Sequence, residues 1–150
     1  MDTIDNKLLI LLQGTKKLSF SELGTQLDLS ISAVGERIKK LKAIGIIKGH
    51  TTLVNPQAIG LNICAFIQIV ISASDHKEYI NKNLCDMPEV LEYHHTTGEY
   101  SYLLKTRLRD TKQLENLLKR ITGMPGITKT NTSIVLSTHK EITALTIYES

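Results

Sequence analysis

The hydrophobic pattern of this chain changes period near Asn62, and that change limits the folds the chain can adopt. Upstream of Asn62, apolar residues recur at the 3.6-residue spacing of amphipathic helices. From Ile63 to Ile71 they alternate at a period of two, and both sides of the alternation are largely apolar, which is typical of a strand covered on both faces. The pattern therefore predicts a helical N-terminal domain followed by a domain built on a sheet.

Residues 23–47 predict two short helices joined by a tight turn, which is a helix-turn-helix arrangement. Ahead of the first helix, Ser19 and Glu22 have the spacing of a capping box. The predicted buried face of this helix consists of Phe20, Leu23 and Leu27. The turn is expected at residues 28–30.

The second of these helices has the pattern of a DNA-recognition helix. Ser30 supplies the side-chain oxygen that caps its start. The predicted core-facing stripe consists of Ile31, Val34, Ile38 and Leu41. The opposite face is small at its N-terminal end and basic further on, which suits close approach to base edges and then passage along phosphates. The predicted DNA contacts are Ser30, Ser32, Ala33, Glu36, Arg37, Lys39 and Lys40.

The positive charge of the chain is concentrated in its first third. All of the formal net charge of +3 comes from residues 1–50, which hold eight Lys and Arg against five Asp and Glu, since residues 51–150 hold ten of each. The alternative interpretation is an ordinary helical subdomain whose lysines form a solvated face. The concentration of charge beside a helix-turn-helix pattern favours nucleic-acid binding.

Length, composition and the N-terminal segment indicate a cytoplasmic protein. The chain has 150 residues, 41% of them hydrophobic and 22% charged, which is ordinary for one or two soluble domains. No apolar run approaches the ~20 residues of a membrane span, and the acidic start lacks the features of a secretory signal. Cys64 and Cys85 are isolated and are expected to be reduced. A protein that binds DNA in this compartment is expected to associate with the nucleoid.

The predicted organisation is a DNA-binding domain at 1–50, a linker strand at 51–61 and a second domain at 62–150. The first domain opens with a helix at 3–13. A unit of ~50 residues made of such short helices is marginal by itself, so something else in the protein must steady it. Glycines and an Asn-Pro pair punctuate the linker around its only strand-like residues, 51–54.

The second domain has the order strand, helix, strand, strand, helix, strand. A helix is predicted at 75–86, and a second helix begins after Asp110. Strands at Val90–Thr97 and Tyr100–Arg107 flank a predicted two-residue turn at Gly98-Glu99. The predicted fold class is therefore α+β, with a winged-type helix-turn-helix domain and a ferredoxin-like βαββαβ domain whose helices share one face of the sheet. The open face is expected to be rich in Ile, Val and Leu, which predicts dimerisation through it.

No group of residues points to a metal or to catalysis. His94 and His95 are adjacent on a strand, so their side chains point to opposite faces and cannot chelate one ion. Glu89 and Glu92 are better interpreted as surface groups than as an acid and base pair, and the chain has no phosphate loop and no nucleophile motif. The sequence therefore predicts a protein that is not an enzyme and has no metal.

Several motifs together resemble the Lrp/AsnC (feast/famine) transcription regulators of bacteria and archaea. These motifs are Ile4-Asp5, Leu29-Ser30, Leu41 to Ile47, Thr97 to Leu104 and Met124 to Ile127. The resemblance covers nearly the whole chain, and the pattern from Tyr93 to Ser101 is most similar to the asparagine-responsive branch. Glu99 departs from that branch, which has a neutral or basic residue there.

The resemblance implies a sequence-specific regulator of transcription that responds to a small amino-acid effector. It further implies a homodimer built through the C-terminal sheets, an octamer of four dimers, and an effector held between dimers at the hairpin turn. The implied effector contacts are Thr97, Gly98, Glu99, Tyr100 and Ser101. The alternative function is a nucleoid-type architectural protein that uses the same recognition helix without an effector. The resemblance does not explain the tail at residues 137–150.

Overall fold

The computed structural model describes residues 1–72 and 76–148, and the chain divides into two compact units. The first unit combines residues 1–52 with the segment that begins at Lys140, and the second contains residues 53–139. The chain therefore passes from one unit to the other twice. No helix in the described ranges is both long and apolar enough to span a bilayer.

In its described residues the first unit has three helices, α1 (Thr3–Leu12), α2 (Phe20–Leu27) and α3 (Ile31–Ala43). Each helix has an N-cap residue whose side chain accepts a hydrogen bond from a backbone N–H of the first turn. The N-cap residues of α1, α2 and α3 are Asp2, Ser19 and Ser30. The capping box predicted at the start of α2 is confirmed, and α1 has one as well. The shared core of the helices consists of Leu8, Leu9, Leu23, Leu27, Val34, Ile38 and Leu41.

Two residues that the sequence predicts to face this core are exposed instead. Ile31 is 57% exposed and Phe20 is 47% exposed. Each is the first residue of its helix, and helical side chains lean toward the N-terminus, so both lie beyond the layer in which the helices overlap. The ring of Phe20 lies beside Gly35, where an added Cβ would come within 3.7 Å of ring carbon Cε2. Phe20 therefore packs on α3 beside Gly35 and does not enter the core.

The second unit is an antiparallel sheet with two helices on one face. Its elements are β1 (Ile63–Ile71), α4 (Lys77–Cys85), β2 (Val90–His95), β3 (Tyr102–Leu108), α5 (Thr111–Thr122) and β4 (Ile127–Ile134). The strand order is β2-β3-β1-β4, and each neighbouring pair is antiparallel. The predicted α+β class and the ferredoxin-like βαββαβ order are confirmed. The predicted start of α4 at Asp75 lies outside the described residues.

The alternation of side chains along β1 separates a closed face of the sheet from an open one. Ile67 and Ile69 are fully buried in the core that α4 and α5 complete. Phe66 and Gln68 point the other way and are partly exposed. The prediction of an open face rich in Ile, Val and Leu is wrong, because the isoleucines of β1 alternate onto the closed side. The open face is mixed, and on it the Gln68 side-chain oxygen accepts a hydrogen bond of 3.0 Å from the Asn131 amide.

The linker between the units contains no strand, which corrects the predicted linker strand at 51–61. Residues 51–55 pair with no other described part of the chain, and a segment without a neighbouring backbone cannot form a ladder. A 3-10 turn at Gln57–Ile59 follows, and the Asn55 side chain accepts a hydrogen bond of 3.0 Å from the Gln57 N–H at its start. Leu53 in this linker is 71% exposed.

The C-terminal tail belongs to the first unit, whereas the sequence places it in the domain at 62–150. The Gln13 amide donates a hydrogen bond of 3.1 Å to the Leu145 carbonyl, and its oxygen accepts one of 2.6 Å from the Leu145 N–H. Ile147 is half-buried against the core of the three helices. Because three short helices bury little apolar surface, the tail supplies a contact that the unit needs from elsewhere in the chain.

Gln13→Ala should loosen the first unit and leave the second unchanged. The substitution removes both hydrogen bonds to Leu145, each worth about 0.5–1.5 kcal/mol, with the lower end expected for these exposed groups. Amide hydrogen exchange should become faster in α1 and stay the same in β1 and β3. The matched control is Gln26→Ala, an exposed glutamine on α2, which should change neither unit. Equal protection of α1 in Gln13→Ala and wild type would contradict a stabilising role for the tail.

Candidate nucleic-acid interface and effector loop

The turn between α2 and α3 sets the angle between these two helices. Asp28 has a left-handed backbone with φ of 55°, and the Leu29 N–H donates a hydrogen bond of 2.9 Å to the Gly24 carbonyl. A Cβ on Gly24 would lie 2.6 Å from the Leu29 carbonyl oxygen, so only glycine permits this approach. Asp28 lies in the turn that the sequence predicts at 28–30. Sequence reasoning missed Gly24, although a glycine inside a helical pattern is a signal that could have identified it.

The N-terminal end of α3 presents small polar groups to solvent. The Ser30 hydroxyl oxygen accepts a hydrogen bond of 3.1 Å from the Ala33 N–H and lies 3.0 Å from the Ser32 hydroxyl oxygen. Ser32 and Glu36 are exposed, and Ala33 is half-buried. These short side chains leave room for a surface to approach the helix closely at this end.

The C-terminal half of α3 presents cationic side chains. Lys39 and Lys40 are exposed, and neither forms an ion pair with a residue in the described ranges. In contrast, Lys16 ahead of α2 lies 3.3 Å from Glu22. The backbone N–H of Ser19 is the main cause that lowers the pKa of Glu22 to about 2, with the Ser19 hydroxyl and Lys16 adding to it. Because Lys39 and Lys40 are exposed and, unlike Lys16, have no such carboxylate partner in the described ranges, their ammonium groups are available to an external anion.

Arg37 has a different environment from the two lysines. Its Nη1 donates hydrogen bonds of 2.7 Å to Asp2 Oδ2 and of 2.7 Å to Asp5 Oδ1, at the start of α1. These hydrogen bonds to Asp2 and Asp5 raise the pKa of Arg37. The Asp5 N–H is the main cause that lowers the pKa of Asp2, followed by Arg37. The structure thus brings Ser30, Ser32, Ala33, Glu36, Lys39 and Lys40 to the solvent side of α3 or its edge, whereas it directs Arg37 to α1.

The loop between β2 and β3 is longer than the predicted two-residue turn, and that prediction is wrong. The last strand pair is His95 with Tyr102, so residues 96–101 form the loop. The Thr96 N–H donates a hydrogen bond of 2.8 Å to the Ser101 carbonyl, and its hydroxyl donates one of 3.0 Å to the Tyr100 carbonyl. The Thr96 side chain thus closes the base of the loop. Gly98 has the expected positive φ, here 112°.

A basic residue from the far edge of the sheet reaches this loop. Lys129 on β4 forms an ion pair with Glu99, and its Nζ lies 5.0 Å from the centroid of the Tyr100 ring. The hydrogen bond to Glu99 raises the pKa of Lys129. An acceptor carboxylate and a donor ammonium therefore lie side by side next to Gly98, whose missing side chain leaves its surroundings open. This combination matches the two charges of a free amino acid. No local pattern in the sequence indicates that Lys129 lies here, because β4 follows the loop by nearly thirty residues.

Aromatic side chains on the closed side of the sheet support the ends of β2 and β3. Tyr102 is buried, and its ring centroid lies 5.4 Å from that of Tyr93 and 4.7 Å from that of His95. The Tyr93 hydroxyl donates a hydrogen bond of 2.7 Å to the Asn81 side-chain oxygen, and burial raises the pKa of Tyr93. In the described ranges, no cluster of three or more His, Cys, Asp and Glu side chains could hold a metal ion. The stacked rings of Tyr93, Tyr102 and His95 therefore pack at the base of the loop.

Two family models match the chain, one for each unit. A winged helix-turn-helix DNA-binding model matches residues 1–48, and a model of the Lrp/AsnC ligand binding domain matches residues 64–145. The first match contains the three helices, and the second contains the sheet, its helices and the first part of the tail.

Known proteins similar to this chain match it along nearly its whole length. The HTH-type transcriptional regulator FL11 of Pyrococcus horikoshii is 38% identical over 147 residues, which cover 98% of this chain and 97% of that protein. A transcriptional regulator of Neisseria meningitidis, solved as a complex with L-methionine, superposes with a TM-score of 0.92 at 31% identity and covers 97% and 96% of the two chains. The structure of AsnC from Escherichia coli gives a TM-score of 0.87 at 30% identity, with 95% and 97% covered.

Proposed function

We propose that this chain, which belongs to the Lrp/AsnC family of transcriptional regulators, binds specific sites on duplex DNA through α3. We also propose that a free amino acid bound at the loop 96–101 changes the assembly of the protein or its affinity for DNA. One observation carries the DNA-binding part. Val34, Ile38 and Leu41 bury one face of α3, while the lysines of the opposite face have no partner in the described chain. Unpaired cations on an exposed helix favour a polyanion as the ligand.

The proposed DNA contacts divide into two groups along α3. The first group would approach base edges and consists of Ser30, Ser32, Ala33 and Glu36. Lys39 and Lys40 would contact phosphates, which contribute affinity without reading sequence. Arg37 is left out of both groups, since its guanidinium is bound to two carboxylates of the same chain.

The proposed effector site is the loop with Thr97, Gly98, Glu99, Tyr100 and Ser101. We include Lys129 in the proposal, because it contacts Glu99 and Tyr100. An amino-acid effector is supported by the regulator of Neisseria meningitidis that was solved with L-methionine. In this chain the Glu99 carboxylate would accept from the ammonium of the ligand, and Lys129 would bind its carboxylate. The asparagine-responsive branch stays a prediction, because neither Glu99 nor Lys129 selects one side chain over another.

The proposed assembly is a homodimer through the open face of the sheet and an octamer of four dimers. The mixed character of that face, with Phe66 and Leu103 beside Gln68 and Lys105, suits an interface that holds both apolar and hydrogen-bonding groups. The proposed activity is binding and not catalysis, and its proposed place is the nucleoid in the cytoplasm, where duplex DNA is available. The alternative function is that of an architectural DNA-binding protein without an effector. The second experiment below distinguishes this alternative from a ligand-responsive regulator.

Lys39→Ala and Lys40→Ala should each weaken DNA binding on every sequence. The loss of one phosphate contact should reduce the slope of log affinity against log salt concentration by about one. Fluorescence anisotropy titrations at several salt concentrations measure this slope. The matched control is Lys112→Ala, an exposed lysine on α5 in the other unit, which should leave the slope unchanged. Unaltered slopes for both α3 variants would remove these lysines from the interface.

Gly98→Val should abolish the effector response and preserve DNA binding. A β-branched residue is strained at a φ of 112°, and its side chain would crowd the proposed ligand site. DNA titration and sedimentation, each with and without a panel of amino acids, should show that only wild type responds. Gly49→Val is the control, since Gly49 has open surroundings and no positive φ. A response in Gly98→Val equal to that of wild type would place the effector elsewhere, and no response in wild type would favour the architectural alternative.

A further inference from the structure

We propose that Arg37 is a positioning residue that fixes the rotation of α3 on α1, although its place on the recognition helix suggests a phosphate contact. The proposal rests on the DNA-binding function proposed above. It assigns to Asp2 and Asp5 a role in DNA recognition, even though both are anionic and neither belongs to the helix-turn-helix. Asp5 lies on α1, and Asp2 caps its start.

The contacts of Arg37 form a closed network. The side chains of Asp2 and Asp5 each accept a hydrogen bond from the backbone of the other residue. The Asp5 N–H donates a hydrogen bond of 2.8 Å to Asp2 Oδ1, and the Asp2 N–H donates one of 3.1 Å to Asp5 Oδ2. Arg37 Nη1 takes the remaining oxygen of each carboxylate at 2.7 Å. One nitrogen therefore joins the capping box of α1 to the middle of α3.

Burial explains why Arg37 is held there. The Asp5 side chain is only 5% exposed and that of Arg37 is 27% exposed, so the pair is largely withdrawn from solvent. A buried carboxylate without a partner is strongly unfavourable, and Arg37 is the cation that neutralises Asp5 in the described structure. Moving the guanidinium to a phosphate would leave Asp5 uncompensated, which opposes its use as a DNA contact.

The remaining contacts of α3 do not define its rotation equally well. Val34, Ile38 and Leu41 bury a stripe against the other helices, but apolar contact is not directional. Two short hydrogen bonds to fixed acceptors are directional. A rotation of α3 about its own axis would carry Ser32 and Glu36 away from the base edges they are proposed to meet, and recognition depends on such side chains being held closely in place.

For Asp2→Asn, the proposal predicts weaker DNA binding, whereas electrostatics alone predicts stronger DNA binding. Asp2→Asn removes a negative charge from a DNA-binding unit, which by charge alone should strengthen binding to DNA. Asn caps a helix as well as Asp does, so the start of α1 is preserved. If Arg37 positions α3 through this carboxylate, the substitution should weaken sequence-specific binding instead. Asp28→Asn is the matched control, because Asp28 is a turn residue of the same unit that forms no ion pair with a described residue. Asn also accepts its left-handed backbone.

The experiment is a double-mutant cycle on the full-length chain with Arg37→Gln, Asp5→Asn, Asp2→Asn and the double variant Arg37→Gln/Asp5→Asn. The DNA probes are a duplex selected with wild-type protein from a random-sequence pool and a duplex of scrambled sequence, each titrated at several salt concentrations. Thermal unfolding of every variant shows which ones fold. Asp2→Asn, whose carboxylate is 53% exposed, provides a milder test if loss of the buried partners prevents folding.

The expected result is a loss of about tenfold or more in affinity for the selected duplex in each single variant, the size of one lost base contact. The salt slope should stay at the wild-type value, and the double variant should lose no more than Arg37→Gln alone. A salt slope reduced by about one in Arg37→Gln, together with unchanged or stronger binding in Asp2→Asn, would overturn the proposal and make Arg37 a phosphate contact. Failure of the wild-type protein to bind any duplex would instead contradict the proposed function itself.

Discussion

The first unit depends on polar contacts that tie together helices too short to stabilise each other by apolar burial alone. Its core contains seven buried apolar residues, from Leu8 to Leu41. Arg37 links α3 to the start of α1, and Gln13 links the end of α1 to the tail. These contacts act at opposite ends of α1, so that helix is held at both ends by residues from distant parts of the chain. Through Arg37, the start of α1 is therefore connected to the helix that is proposed to contact DNA.

The second unit has a different source of stability. Ile67, Ile69, Leu104 and Leu117 are fully buried in one continuous core between the sheet and its helices. Non-local strand pairing and apolar burial hold this unit, and the ion pair between Lys129 and Glu99 of the loop 96–101 lies at its exposed rim. A loop at the rim can change its contacts without disturbing the core. This separation allows the proposed effector site to be built on a rigid base formed by Tyr93 and Tyr102.

The features that could be predicted from the sequence are those set by local patterns. Capping at Ser19 and Ser30, the helical stripe of α3 from Val34 to Leu41 and the change to a period of two at β1 depend on neighbouring residues, and the structure confirms them. The errors arose where a partner far along the chain decides the outcome. The tail, for example, returns to Gln13 from the other end of the sequence.

The candidate sites follow the same rule. The exposed face of α3 follows from helical periodicity, and the five loop residues follow from the resemblance to a family. The role of Arg37 could not be predicted from the helix that carries it, because its two acceptors lie more than thirty residues earlier. Lys129 could not be predicted for a similar reason, since it lies on β4, at the far edge of the sheet, and only its side chain reaches Glu99 in the loop.

Regulation of DNA binding by a ligand at the loop 96–101 requires that the ligand distinguish two states of the protein. The loop and the recognition helix belong to different units, and the chain joins those units twice, near residues 52 and 139. The second connection leads directly into the tail that binds Gln13 and the first core. Because coupling between two sites is reciprocal, DNA bound to α3 would change the affinity of the loop for its effector by the same factor.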